Sequence, residues 1–241
     1  MKNVMMNGPM NALRISLSNF FIMPAVTVLN ANFSNLMLRM KQQSKLTLSD
    51  EELQLVSNAG WILTKHVITR KVYEMFGHLA EEYKVVVEKG NLPLPVVKPS
   101  PKISRGENYL LLPYVMLDYP RCFSGENIFA VRTMFWWGNF FSFTLQLSGE
   151  YKKVFEERLI AGYDLLKQHE FYVCINEDAW QHHFEEENYS PLDQLAKEDM
   201  QQVILQKEFI KIAVKFPLNY WRKMPEMLPE KFSLLMQLLK T

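Results

Sequence analysis

Residues 109–149 read YLLLPYVMLDYPRCFSGENIFAVRTMFWWGNFFSFTLQLSG, and this stretch decides the fold class. Short apolar runs stand between turn signals, and the only charged residues are Asp118, Arg121, Glu126 and Arg132. Ser124-Gly125-Glu126-Asn127 and Gly138-Asn139 mark turns, while Phe129, Val131, Trp137, Phe141, Phe143, Leu145 and Leu147 supply β-favouring bulk. The pattern predicts a meander of strands.

Its register follows from the cost of burying charge. After Gly138-Asn139, Phe141, Phe143, Leu145 and Leu147 alternate with Ser142, Thr144, Gln146 and Ser148, so the odd positions face the core. A two-residue turn would pair even with odd positions and drive Arg132 among leucines, where an unpaired charge is expensive. A three-residue loop pairs odd with odd. It places Arg132 beside Thr144 or Gln146, with Trp136 on the same, more polar face. That face, with Tyr114, Asp118, Arg132 and Trp136, is a candidate floor for a small anionic or planar ligand. The competing reading gives Arg132 a structural role as the partner of Asp118.

Upstream, Ser49-Asp50-Glu51-Glu52 forms a capping box ahead of an amphipathic pattern through Leu53, Val56, Leu63, Val67 and Val72, interrupted at Gly60 and Gly77 and closed near Gly90. An earlier helix over 28–43, with Leu29, Phe33, Leu36, Met37 and Met40 on one face, would pair with it. Pro93, Pro95, Pro99 and Pro101 make residues 91–108 an extended connector. Downstream the pattern predicts a helix over 150–169, a strand over 171–175, an acidic helix over 178–187 and a helix opened by Ser190-Pro191. A strand over 209–216 and a closing helix after Pro229 complete the chain. The expected organisation is therefore a helical region over 1–90, a proline-rich connector over 91–108 and an α+β domain over 109–241. The fold class is α+β: a mostly antiparallel sheet with helices on one face, behind a helical N-terminal layer.

With 241 residues, 48% hydrophobic and 22% charged, the chain can bury a core without staples. Cys122 and Cys174 stand apart without a motif, which points to a reducing, cytoplasmic compartment rather than a disulfide framework or zinc ribbon. The apolar run from Phe20 to Leu29 is broken by Pro24 and falls short of the roughly 20 residues that span a bilayer. Net charge is +1, yet residues 150–200 carry thirteen acids against five bases. Only Arg121 and Arg132 accompany the aromatics of 109–149, so nucleic acid is not the expected partner.

No phosphate loop, paired-cysteine site, nucleophile elbow or dinucleotide fingerprint is present. The sharpest polar cluster is Asn176 to Glu187. On a helix, Asp178 and His182 would lie one turn apart with Glu185 or Glu186 on the same face, suited to acid/base work or a divalent metal. The Glu-x-x-His pair of a di-iron bundle is absent, and neither a metal nor a cofactor is specified. Three classes follow: a cytoplasmic binding or interaction protein with a ligand near Arg132, Trp136, Tyr114 and Asp118; an enzyme on a small polar substrate using Asp178 and His182; and a structural subunit that self-associates as a homo-oligomer.

Overall fold

The computed structural model describes residues 47–240. The chain divides into two compact units, 1–59 and 60–241. Within the first, α1 (Asp50–Ser57) opens with the expected capping box: Glu52 N–H donates to Ser49 Oγ at 3.2 Å, and Ser49 N–H to the Glu52 carboxylate at 2.8 Å. The helix expected over 28–43 lies outside the described residues.

The second unit is built on a seven-stranded sheet in the order β1-β2-β3-β4-β7-β5-β6, with every pairing antiparallel. The strands are β1 (Lys102–Tyr109), β2 (Leu112–Ser124), β3 (Asn127–Trp136), β4 (Phe140–Ser148), β5 (Tyr172–Cys174), β6 (Tyr189–Pro191) and β7 (Phe209–Pro217). The helices are α2 (Ala59–Glu88), α3 (Leu94–Val97), α4 (Gly149–Ala161), α5 (Tyr163–Gln168), α6 (Lys197–Gln206) and α7 (Met224–Leu238), the last preceded by a 3-10 turn over Leu218–Lys223. The fold is α+β, as the alternation in 109–149 requires. Among the described residues no helix is long and apolar enough to cross a membrane.

The β3–β4 hairpin has the three-residue loop Trp137-Gly138-Asn139, pairing Arg132 with Thr144, Thr133 with Phe143 and Trp136 with Phe140. Gly138 takes φ +74°, a left-handed conformation that glycine adopts without a Cβ penalty. Odd positions of β3 and β4 thus face a core in which Phe129, Val131, Phe143 and Leu145 meet Phe76 and Tyr83 of α2, Phe155 and Leu159 of α4, and Phe232 and Leu235 of α7. Tyr83 stacks on Phe232 with ring centroids 3.9 Å apart, and Phe143 stands edge-on to both.

Several local expectations are corrected. The 91–108 segment holds the short helix α3, with Pro95 in its first turn, and then the edge strand β1, which starts only after Pro101 and so loses no ladder hydrogen bond to proline. Gly77 does not interrupt α2, which runs unbroken, and Leu53, Val56, Leu63 and Val67 are exposed rather than packed. Residues 150–169 form two helices, parted at Gly162, where an added Cβ would meet Leu238 at 2.7 Å. Residues 178–187 form no helix: the Asp178 carboxylate accepts from Trp180 N–H at 2.8 Å, an Asx-turn that competes with helical pairing. Ser190-Pro191 lies in β6 at the sheet edge, where proline's missing N–H is tolerated. The closing helix begins at Met224, with Pro225 in its first turn and Pro229 one turn inside.

Candidate functional site

The second sheet face carries the even positions of β3 and β4 and the odd positions of β7. Two apolar patches flank it: Met116, Met134 and Trp136 with Tyr109, Tyr114 and Phe140 on one side, and Cys174, Tyr189, Phe209 and Ala213 with Tyr172 and Phe184 on the other. Between them lie Asp118, Arg132, Thr144, Gln146 and Lys211, all buried. Four of the expected ligand residues are therefore brought onto one face, Tyr114 opposite Trp136 and Asp118 opposite Arg132.

The irregular segment 175–188 lies over Arg132 and Lys211. Tyr109 Oη accepts from His182 N–H at 2.6 Å and His183 N–H at 3.1 Å, and can donate to His183 Nδ1 at 3.1 Å. Lys211 Nζ donates to the carbonyl of Gln181. Trp180 lies under the Arg132 guanidinium at 5.9 Å and stacks on Phe123 at 6.4 Å, while Phe184 packs on Tyr189 at 4.5 Å and edge-on to Phe140 and Tyr172. This segment covers Arg132, one of the four residues that the sequence assigned to a ligand.

Arg132 Nε donates to Asp118 Oδ1 at 2.7 Å, the structural pairing weighed from the sequence. Its Nη1 lies 3.3 Å from His182 Nε2; since guanidinium only donates, His182 accepts there and carries any neutral-ring proton on Nδ1. Burial pushes the His182 pKa well below its usual value, and the Arg132, Lys211 and His183 charges push the same way. Burial also lowers Lys211 to about 8. Asp118 is the single buried carboxylate among the described residues and is paired with Arg132, while Lys211 lies three strands away on the same face, and the Gln146 side-chain nitrogen beside Lys211 has no hydrogen-bond partner there.

The Asp178–His182 pairing is corrected by the same geometry. Without the helix, the Asp178 carboxylate engages Trp180 N–H and the Gln181 amide, each at 2.8 Å, and these bonds hold its pKa down. His182 turns instead to Arg132. Among the described residues no three His, Cys, Asp or Glu side chains group closely enough to hold a metal ion. Cys174, buried beside Asn188, has its thiol pKa raised by burial, which leaves it unreactive.

Where the covering segment ends, the polar face opens into a cleft of about 410 Å³, lined among others by Phe140, Glu170, Tyr172, Pro191, Asp193 and Lys215. Phe140 starts β4, Tyr172 starts β5, Pro191 ends β6 and Lys215 lies near the end of β7, so four strands converge on it. The Lys215 ammonium sits over the rings of Tyr172 at 5.6 Å and Phe184 at 5.3 Å. Partial desolvation there lowers its pKa, against the pull of Glu185. The Tyr172 hydroxyl is pushed up first by burial and then by the charges of Asp193 and Glu170. The sequence reading missed this cleft. Its residues are scattered over four segments, and only Lys215, at the polar position between Val214 and Phe216 on a predicted strand, carried a signal.

Compared with protein-family models, with curated proteins and with solved structures, the chain finds no match.

Proposed function

We propose that this chain is a cytoplasmic binding protein that holds a small molecule in the cleft at the rim of the polar sheet face. The observation that carries this reading is the cleft itself: about 410 Å³, walled by Phe140 and Tyr172, with Glu170, Asp193 and Lys215 at its lip. Its size falls within the range of small-ligand pockets, and a few charged groups on aromatic walls are what such pockets use to orient a ligand. It is preferred to the seat near Arg132, Trp136, Tyr114 and Asp118, because Arg132 is already engaged by Asp118 and lies against His182 and Trp180 of the 175–188 segment. Two carboxylates against one ammonium do not suit a phosphate backbone, so nucleic acid is not the ligand. Native mass spectrometry of the purified chain tests the reading. A small-molecule adduct present on the wild type and lost in Tyr172→Ala is the expected result. An adduct kept in Tyr172→Ala but lost in the charge-balanced double variant Asp118→Asn/Arg132→Met would return the ligand to the covered face.

A second reading, self-association, is favoured by the leading turns of α2. Trp61, Ile62, Leu63 and Val67 are exposed there. Leu63 lies about 180° around the helix from the buried Val72, so it faces away from the core. A helix apolar on more than its core face is ordinarily covered by something. The occupant we assign is a second copy of the chain. Analytical ultracentrifugation should show a dimer for the wild type and a monomer for Leu63→Glu/Val67→Glu; a monomeric wild type would end this reading.

A further inference from the structure

The cleft has one lip built at a conformational cost. Helix α5 ends in a Schellman motif: Phe171 N–H donates to the Leu166 carbonyl at 3.0 Å and Glu170 N–H to the Lys167 carbonyl at 3.0 Å. The residue after the cap in this motif is left-handed and is usually glycine. Here it is Glu170, at φ +59°. A side chain retained in a left-handed conformation stores strain, and such outliers gather where a side chain is needed for function. Glu170 is exposed and lines the cleft, as does Asp193, just past the last residue of β6.

Resting on the reading of the cleft as the ligand seat, we propose that its ligand is a small zwitterion, an α-amino acid with an apolar side chain. The two carboxylates, Glu170 and Asp193, exceed the single ammonium of Lys215, so the lip favours a ligand cation. Lys215 supplies the opposite pole. Its ammonium rests on the Tyr172 and Phe184 rings at 5.6 and 5.3 Å and remains free to donate to a ligand carboxylate. The rings of Phe140 and Tyr172, with Pro191 and Pro217, give an apolar wall for the side chain. A ligand carrying one charge only would meet either the carboxylate pair or Lys215 and so lose one of the two charge-assisted contacts that a zwitterion makes.

Calorimetric titration of the full chain with L-phenylalanine, L-leucine, phenethylamine and 3-phenylpropionate tests the assignment. At least one of the two amino acids should bind, and phenethylamine and 3-phenylpropionate should each bind at least about tenfold more weakly than L-phenylalanine. Glu170→Gly and Asp193→Asn should weaken the amino acid by at least about tenfold. Glu170→Gly should at the same time raise the melting temperature, because glycine relieves the left-handed strain, so its loss of binding cannot come from unfolding. Phenethylamine binding as tightly as L-phenylalanine would overturn the zwitterion while leaving the cleft as the ligand seat. Failure of both amino acids to bind, or unchanged affinity in Glu170→Gly and Asp193→Asn, would overturn the assignment altogether.

Discussion

Replacing Asp118 by Asn removes one charge and changes almost no volume, and the structure says it should damage the fold severely. The Asp118 and Arg132 side chains are 9% and 8% exposed and joined at 2.7 Å. Arg132 also faces His182 at 3.3 Å, and buried Lys211 lies on the same face. No other buried carboxylate among the described residues can take over. Breaking a buried pair by neutralising one partner leaves the other charge uncompensated and costs about 3–5 kcal/mol. For a domain of this size each kcal/mol moves Tm by about 2–4 °C, so the shift is about 6–20 °C. Urea unfolding at pH 7 gives the free energy and calorimetry gives the temperature. The double variant Asp118→Asn/Arg132→Met should recover most of the loss, since it removes the stranded guanidinium as well. A cost below about 1 kcal/mol with an unchanged urea dependence would refute the argument, because that is the value of a solvated surface pair.

Acid should loosen the same cluster. The unfolded imidazole of His182 takes a proton near pH 6.5 and the folded one only at lower pH, so stability is whole above that value and falls below it, by up to about 1.4 kcal/mol per pH unit. Urea midpoints between pH 7 and 5 should show this slope, and His182→Asn should flatten it. Lys211 acts in the alkaline range: its folded pKa of about 8 lies below the unfolded 10.5, so its contribution to stability rises with pH between those values, by about 3 kcal/mol in all, and is absent from Lys211→Met. Tyr109→Phe removes the acceptor shared by His182 N–H and His183 N–H; hydrogen exchange over 176–187 should speed up while that of β3 and β4 stays slow. Gly149→Ala should cost at least about 2 kcal/mol, because φ is +58° and an added Cβ would lie 2.1 Å from Asn127 Oδ1 and 2.9 Å from the Glu126 carbonyl; an unchanged urea midpoint would contradict that geometry.

The β3–β4 register was legible because one charge decided it. Placing Arg132 on the leucine face would have stranded a guanidinium, and the alternative register gave it Thr144 and brought it within reach of Asp118. The capping box at Ser49 was legible for a similar reason, since both of its hydrogen bonds close within four residues. The acidic segment misled. Its charge pattern fitted a helix, but the Asn176 and Asp178 side chains bond to backbone N–H groups two residues on, and Tyr109, from a distant strand, takes the N–H groups of His182 and His183. Helical periodicity at Leu63 and Val67 was read correctly as helix, yet both side chains are exposed, because amphipathic spacing shows that a face is apolar without showing what covers it.

The sequence by itself determined the α+β class, the antiparallel meander over 109–149, the side of β3 and β4 that enters the core, and the pairing of Arg132 with its neighbours. These depend on alternation, turn chemistry and the cost of a lone buried charge, all of which act between residues close in the chain or directly across a hairpin. Only the tertiary structure decided that segment 175–188 closes over the polar face, that His182 serves Arg132 rather than Asp178, and that the open cleft lies at Phe140, Tyr172 and Lys215. Those outcomes turn on contacts such as Tyr109 with His182, 73 positions apart, whose energy exists only once the sheet has brought the two segments together.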